Sequence, residues 1–116
     1  MLATEPPQDA GELVAAGLEV YRAQYCGVCH ELGAAGSRGI FGPAHDGMGI
    51  TAAARIQEPG YSGGATTPAE YLLESIVNPK AYVVPSYEIT SHPMPAYDFL
   101  SEQEIMALVQ MLLAQQ

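Results

Sequence analysis

Two long stretches, residues 33–66 and 79–100, are too rich in glycine or proline to form regular structure unaided. The first holds most of the chain's twelve glycines; the second holds Pro79, Pro85, Pro93 and Pro95. Loops of that length are uncommon in a compact domain unless something organises them. The chain therefore has to fold around an object that the loops can wrap. With 116 residues it is one domain by length, and its own core is small. A bound metal or cofactor would relieve that shortage. At 48% hydrophobic residues the chain is not disordered by composition.

The remainder reads as three helices, each announced by its start. Asp9 to Glu12, Thr67 to Glu70 and Ser101 to Glu104 all fit the capping box, in which a side-chain oxygen and an acid three residues later satisfy each other's backbone N–H. Pro68 also occupies a first-turn position where its missing donor costs nothing. The first helix is expected from about Ala10 to about Tyr25, ending in two cysteines. The second runs from about Pro68 to Val77 and stops at Asn78-Pro79. The third spans about Glu102 to Ala114, with Ile105, Leu108, Val109 and Leu112 forming an apolar stripe that packs on the first. Gly17 is locally unfavourable in mid-helix, and a close helix crossing over it explains the choice. Strand signals are weak, the best being Ala81–Val84. Residues 1–8 read as a tail or tether end, and 9–116 as the folded domain.

The charge narrows the function. Thirteen acids against four bases leave a net charge of −9. Nucleic acid is disfavoured, because phosphates are met by lysine and arginine; an anionic membrane surface is equally disfavoured. A basic or neutral protein partner fits better. The start MLATEPPQ lacks the basic and apolar regions of a signal peptide. The most apolar stretch, IMALVQMLLA, is far too short to span a bilayer.

Residues 25–30 read YCGVCH and contain the only two cysteines. A Cys26–Cys29 disulfide would close a tiny loop and constrain little. A zinc site needs further ligands, but His30, His45 and His92 are scattered, without finger spacing. A redox dithiol belongs at the start of a helix after a strand, whereas this motif ends a helix. The remaining owner is c-type haem. Two thiols at this spacing reach two vinyl groups on one porphyrin edge, and the adjacent His30 projects beneath the iron. A sixth ligand is then expected from SHPMPAY at 91–97. Met94 stands between two prolines that fix the backbone around its thioether. His92 and Met48 are the competing ligands. Met106 and Met111, on a helix, read as core filling.

With these features in place the chain resembles the class I, small monohaem cytochromes c over about residues 11–114. The likeness rests on GLEVYRAQYCGVCH, on IFGP at 40–43, on ESIVNPKAYVV at 74–84 and on MPAYDFLSEQEIMALVQML at 94–112. The middle segment is similar to the cytochrome domains of bacterial respiratory complexes, such as caa3-type oxidases. The resemblance implies an all-α cytochrome c fold, with three main helices and long loops around one covalently bound haem c. It implies Cys26 and Cys29 as attachment points and His30 and Met94 as axial ligands. Pro43 would accept from the His30 ring, and Arg55 would meet a haem propionate. Tyr61, Tyr82 and Tyr87 are candidates for the haem rim, and His45 for a loop or propionate-side position. Gly17 and Tyr21 match the family's contact on the N-terminal helix.

The resemblance also implies what the protein does. It is expected to carry single electrons in an extracytoplasmic respiratory or photosynthetic chain, without catalysing bond chemistry. Its partners would be redox proteins with basic or neutral docking surfaces. A targeting segment or membrane tether would have been removed. The alternatives are a haem subunit or excised domain of a larger oxidoreductase complex, and an open-site haem sensor or peroxidase.

Overall fold

The structure, a computed structural model, describes residues 10–90 and 92–116. The tail at 1–8 and the Asp9 cap fall outside the described residues. Within these residues four α-helices carry the fold: α1 (Ala10–Ala23), α2 (Met48–Arg55), α3 (Pro68–Val77) and α4 (Glu102–Leu113). Among the described residues one antiparallel ladder occurs, between β1 (Glu31–Leu32) and β2 (Ser37–Arg38). The architecture is all-α, as expected.

The caps act at two of the three predicted starts. At α4, Ser101 Oγ accepts from the Glu104 N–H at 3.1 Å, and the Glu104 carboxylate accepts from the Ser101 N–H at 3.0 Å. At α3, Thr67 accepts from the Glu70 N–H, but the Glu70 carboxylate turns to the backbone and hydroxyl of Thr66 instead. Those bonds hold the Glu70 carboxyl below its usual range. The second half of the expected capping box is therefore replaced by a bond one residue earlier.

α1 and α4 form the main helix pair. Gly17 sits where they cross. A Cβ at Gly17 would overlap the Ala107 carbonyl and the Met111 side chain. Met111 is fully buried there, while Met106 on the same helix faces outward, so only one of the two expected core methionines fills the core. Replacing Gly17 with valine is expected to destabilise the holoprotein by about 1–3 kcal/mol, the usual cost of overpacking. A lowered urea midpoint at unchanged slope is the measurement.

Three local readings are corrected. The first helix ends at Ala23, and Tyr25 adopts a left-handed conformation, φ 59°, that turns the chain before the cysteines. Ala81–Val84 is not a strand: Pro79–Ala81 forms a 3-10 turn. The stretch 33–66 is not all loop, since α2 forms within it. Gly47 starts that helix in a left-handed conformation, φ 69°. Three alanines, Ala52 to Ala54, favour its continuation. The Gly49 N–H donates to the Gln115 carbonyl at 2.7 Å, docking α2 on the C-terminal end.

Candidate haem site

The end of α1 builds one side of the site. After the Tyr25 turn, Cys26–Val28 forms a single 3-10 turn. The N–H groups of Cys29 and His30 both donate to the Cys26 carbonyl, at 3.2 and 3.0 Å. One turn therefore presents Cys26, Cys29 and His30 together. Both cysteines are free, partly buried and on the wall of one cleft. Burial pushes the Cys26 thiol up to about 11, so it keeps its proton at neutral pH. A thiolate metal ligand would require the opposite shift. Among the described residues no three His, Cys, Asp or Glu groups are placed to hold a metal ion.

His30 is buried, with 8% of its surface exposed. Its Nδ1 lies 2.7 Å from the Pro43 carbonyl oxygen. A carbonyl only accepts, so Nδ1 carries the proton and Nε2 keeps its lone pair for a metal. Burial lowers the tendency of His30 to take a second proton, partly offset by that bond. A Cβ at Gly42 would overlap the imidazole, so glycine is what lets the 41–43 segment lie against the ring.

The far end of the chain supplies another wall. Met94 is partly buried and lines the same cleft, as do Pro93 and Pro95. Its segment is anchored just downstream at Tyr97. The Tyr97 N–H donates to the Ile76 carbonyl of α3 at 2.9 Å. Its hydroxyl donates to the Gln24 carbonyl, just past the end of α1, at 3.3 Å. Sequence reasoning missed Tyr97, although an aromatic two residues after Pro95 was there to be read. Leu108 and Leu112 of α4, Tyr71 and Ile76 of α3 and Met48 of α2 add further lining.

The remaining predicted residues divide. Pro43, Arg55, Tyr82 and Tyr87 line the cleft. Arg55 donates from Nη1 to the Tyr71 hydroxyl at 3.2 Å and lies 3.8 Å from the Glu58 carboxylate. A guanidinium is thus held inside the cleft of an acidic protein. Tyr61 is not part of the lining. It stands behind it, edge-on to Tyr71 and Tyr82, with its hydroxyl donating to Glu74 at 2.5 Å. Of the competing ligands, Met48 belongs to the buried core as well as to the cleft wall, and His92 lines the cleft too, exposed against Phe41. His45, in the loop before α2, lies flat against His30, 3.9 Å between ring centroids, a contact the sequence did not indicate. Burial, His30 and Arg55 together hold His45 in its neutral form.

These residues fit a porphyrin. The cleft is walled mostly by apolar groups, two thiols share one turn, an imidazole offers a free Nε2, and an arginine is available to a carboxylate. The family model for Cytochrome c matches residues 14–115. The chain belongs to the cytochrome c family, whose members carry covalently attached haem c and transfer electrons through it. The domain implies one haem, and the family is typically one of electron carriers rather than enzymes. No curated protein matches the chain closely enough to be compared. Among the described residues no helix is long and apolar enough to cross a membrane.

Proposed function

We propose that this chain is a one-electron carrier with His30 and Met94 as axial ligands, working outside the cytoplasm in a respiratory or photosynthetic chain. The observation that carries the reading is that the CxxCH turn and the Pro93-Met94-Pro95 segment line one cleft, with His30 Nδ1 already committed to Pro43. When bound, the haem supplies the Fe(III)/Fe(II) couple. Cys26 and Cys29 hold it through thioethers. His30 presents Nε2, and the Met94 sulfur favours the reduced state and so raises the potential. With both axial positions filled by residues, none is left open for substrate, which separates this reading from a sensor or peroxidase. Arg55 would meet a propionate, Tyr82 and Tyr87 would border the haem, and Tyr61 braces Tyr71 and Tyr82 from behind. Residues 9–116 act as the cytochrome domain and 1–8 as its tail.

The optical spectrum of the purified holoprotein tests this. Low-spin bands in both oxidation states, with a weak far-red sulfur-to-iron band when oxidised, are expected. A high-spin spectrum refutes the ligand pair.

The net charge of −9 favours a basic partner. Electron transfer to a cationic redox protein should slow by ~10-fold or more from low to high salt as charge steering is screened. A second reading, a fixed haem subunit of a larger complex, is favoured by the cleft mouth. Tyr25, Phe41 and Val83 line the cleft yet remain 75%, 40% and 41% exposed. A rate indifferent to salt would select this apolar contact and the subunit reading.

A further inference from the structure

The proposed proximal ligand is gripped by more than Pro43. A ring held by one hydrogen bond still rocks about it. In this chain a second ring closes that freedom. His45 stacks on His30 with 18° between the ring planes. His45 is itself fixed at two points. Its Nδ1 lies 2.9 Å from the hydroxyl of Tyr21, whose ring meets it edge-on. Its backbone N–H donates to the carbonyl of Glu31, the residue after His30, at 2.7 Å. Tyr21 lies on α1 and is only 1% exposed. The chain from α1 through Tyr21 and His45 to His30 is thus continuous.

Packing alone does not account for this pair. A leucine would fill the space against His30 without burying polar atoms. A partly buried imidazole and a buried phenol each need a partner, since an unpaired polar group costs free energy. Each is the other's partner. The arrangement places a flat, polar ring against the imidazole, where an aliphatic side chain would offer neither a fixed plane nor a dipole.

We propose that His45, locked by Tyr21, is a positioning residue that fixes the ring-plane angle of His30 and lowers the potential of the iron it ligates. The inference rests on His30 being the proximal ligand. A polar neighbour favours the more highly charged oxidised site, and an apolar one the reduced site.

The test uses the holoprotein. In His45→Leu, the hyperfine-shifted haem methyl signals of the oxidised protein, which report the axial ring angle, are expected to rearrange. The midpoint potential is expected to rise. Tyr21→Phe should move both in the same direction by less. His45→Phe, which restores a flat ring without the hydrogen bond, should bring the methyl pattern back to that of Tyr21→Phe but leave the potential near that of His45→Leu. Unchanged methyl shifts and potential in His45→Leu, with covalent haem and low-spin bands retained, would overturn the proposal. If His45→Leu fails to load haem, Tyr21→Phe decides by the same two readings. A wild-type protein lacking the low-spin spectrum would instead remove the ligand assignment itself, and this inference with it.

Discussion

Serine in place of both Cys26 and Cys29 is expected to yield a protein that gives up all its haem to acid–acetone. The two sulfurs are the only atoms in the chain able to form thioethers, since there are no other cysteines. Both lie on one turn at the cleft wall, and burial keeps the Cys26 thiol protonated. A serine hydroxyl at the same place fills similar space but does not add across a vinyl group under mild conditions. Axial ligation alone would then hold the haem, and acid breaks axial ligation by protonating His30. Each single variant should stay coloured after extraction. Its reduced visible band should move to longer wavelength, because one vinyl group remains conjugated with the ring. Haem surviving extraction from the double variant would refute attachment at these residues. The segments 33–66 and 79–97 supply much of the cleft lining, from Phe41 to Arg55 and from Pro79 to Tyr97, so loss of attached haem should also lower the thermal midpoint.

What could be read from the sequence follows the range of the interactions. The starts of α3 and α4 were legible because a cap is a contact between residues three apart. Gly17 was legible because an unfavourable helix residue demands a reason, and the α1–α4 crossing supplies it. α2 was not legible. Its first residues include glycines that normally argue against a helix, and it is held by packing on α3 and α4 and by the bond from Gly49 to Gln115, all distant in sequence. The boundary of α1 was misplaced because a left-handed tyrosine leaves little trace in composition.

The site divides in the same way. Cys26, Cys29, His30 and Met94 stood out as candidates because their chemistry is local, a motif in one turn and a thioether between two prolines, and all four line one cleft. Pro43 became readable only through the family likeness, and the 2.7 Å bond to His30 supports that transfer. Tyr61 carried the same kind of signal as Tyr82, yet its hydroxyl donates to Glu74 of α3. An aromatic residue in a loop does not announce which side of a wall it occupies. His45 was read only as a loop or propionate-side histidine, because nothing near it in sequence points to stacking on His30. Its position depends on the bond to Glu31, on Gly42 and Pro43 lying against the imidazole, and on Tyr21 reaching across from α1.

Met94→Ala should keep its haem and lose the far-red band of the oxidised protein. Thioether ligation is one of the main levers on haem potential, within a range of about 0.8 V across axial ligand types. Its loss is therefore expected to lower the midpoint potential by on the order of 0.1 V or more. The choice of Met94 over Met48 rests on what else each side chain does. Met48 opens α2 at 3% exposure and belongs to the continuous buried core. Removing it opens a cavity and should cost about 2–5 kcal/mol of stability while leaving the band in place. Met94 is partly buried and is not among the residues packed on that core. Its flanking prolines and the two Tyr97 anchors fix its backbone rather than its packing. Its removal should change the spectrum and potential far more than the unfolding midpoint. If the band persists in Met94→Ala and vanishes in Met48→Ala, the sixth ligand comes from α2, and the Pro-Met-Pro segment is only a wall of the cleft.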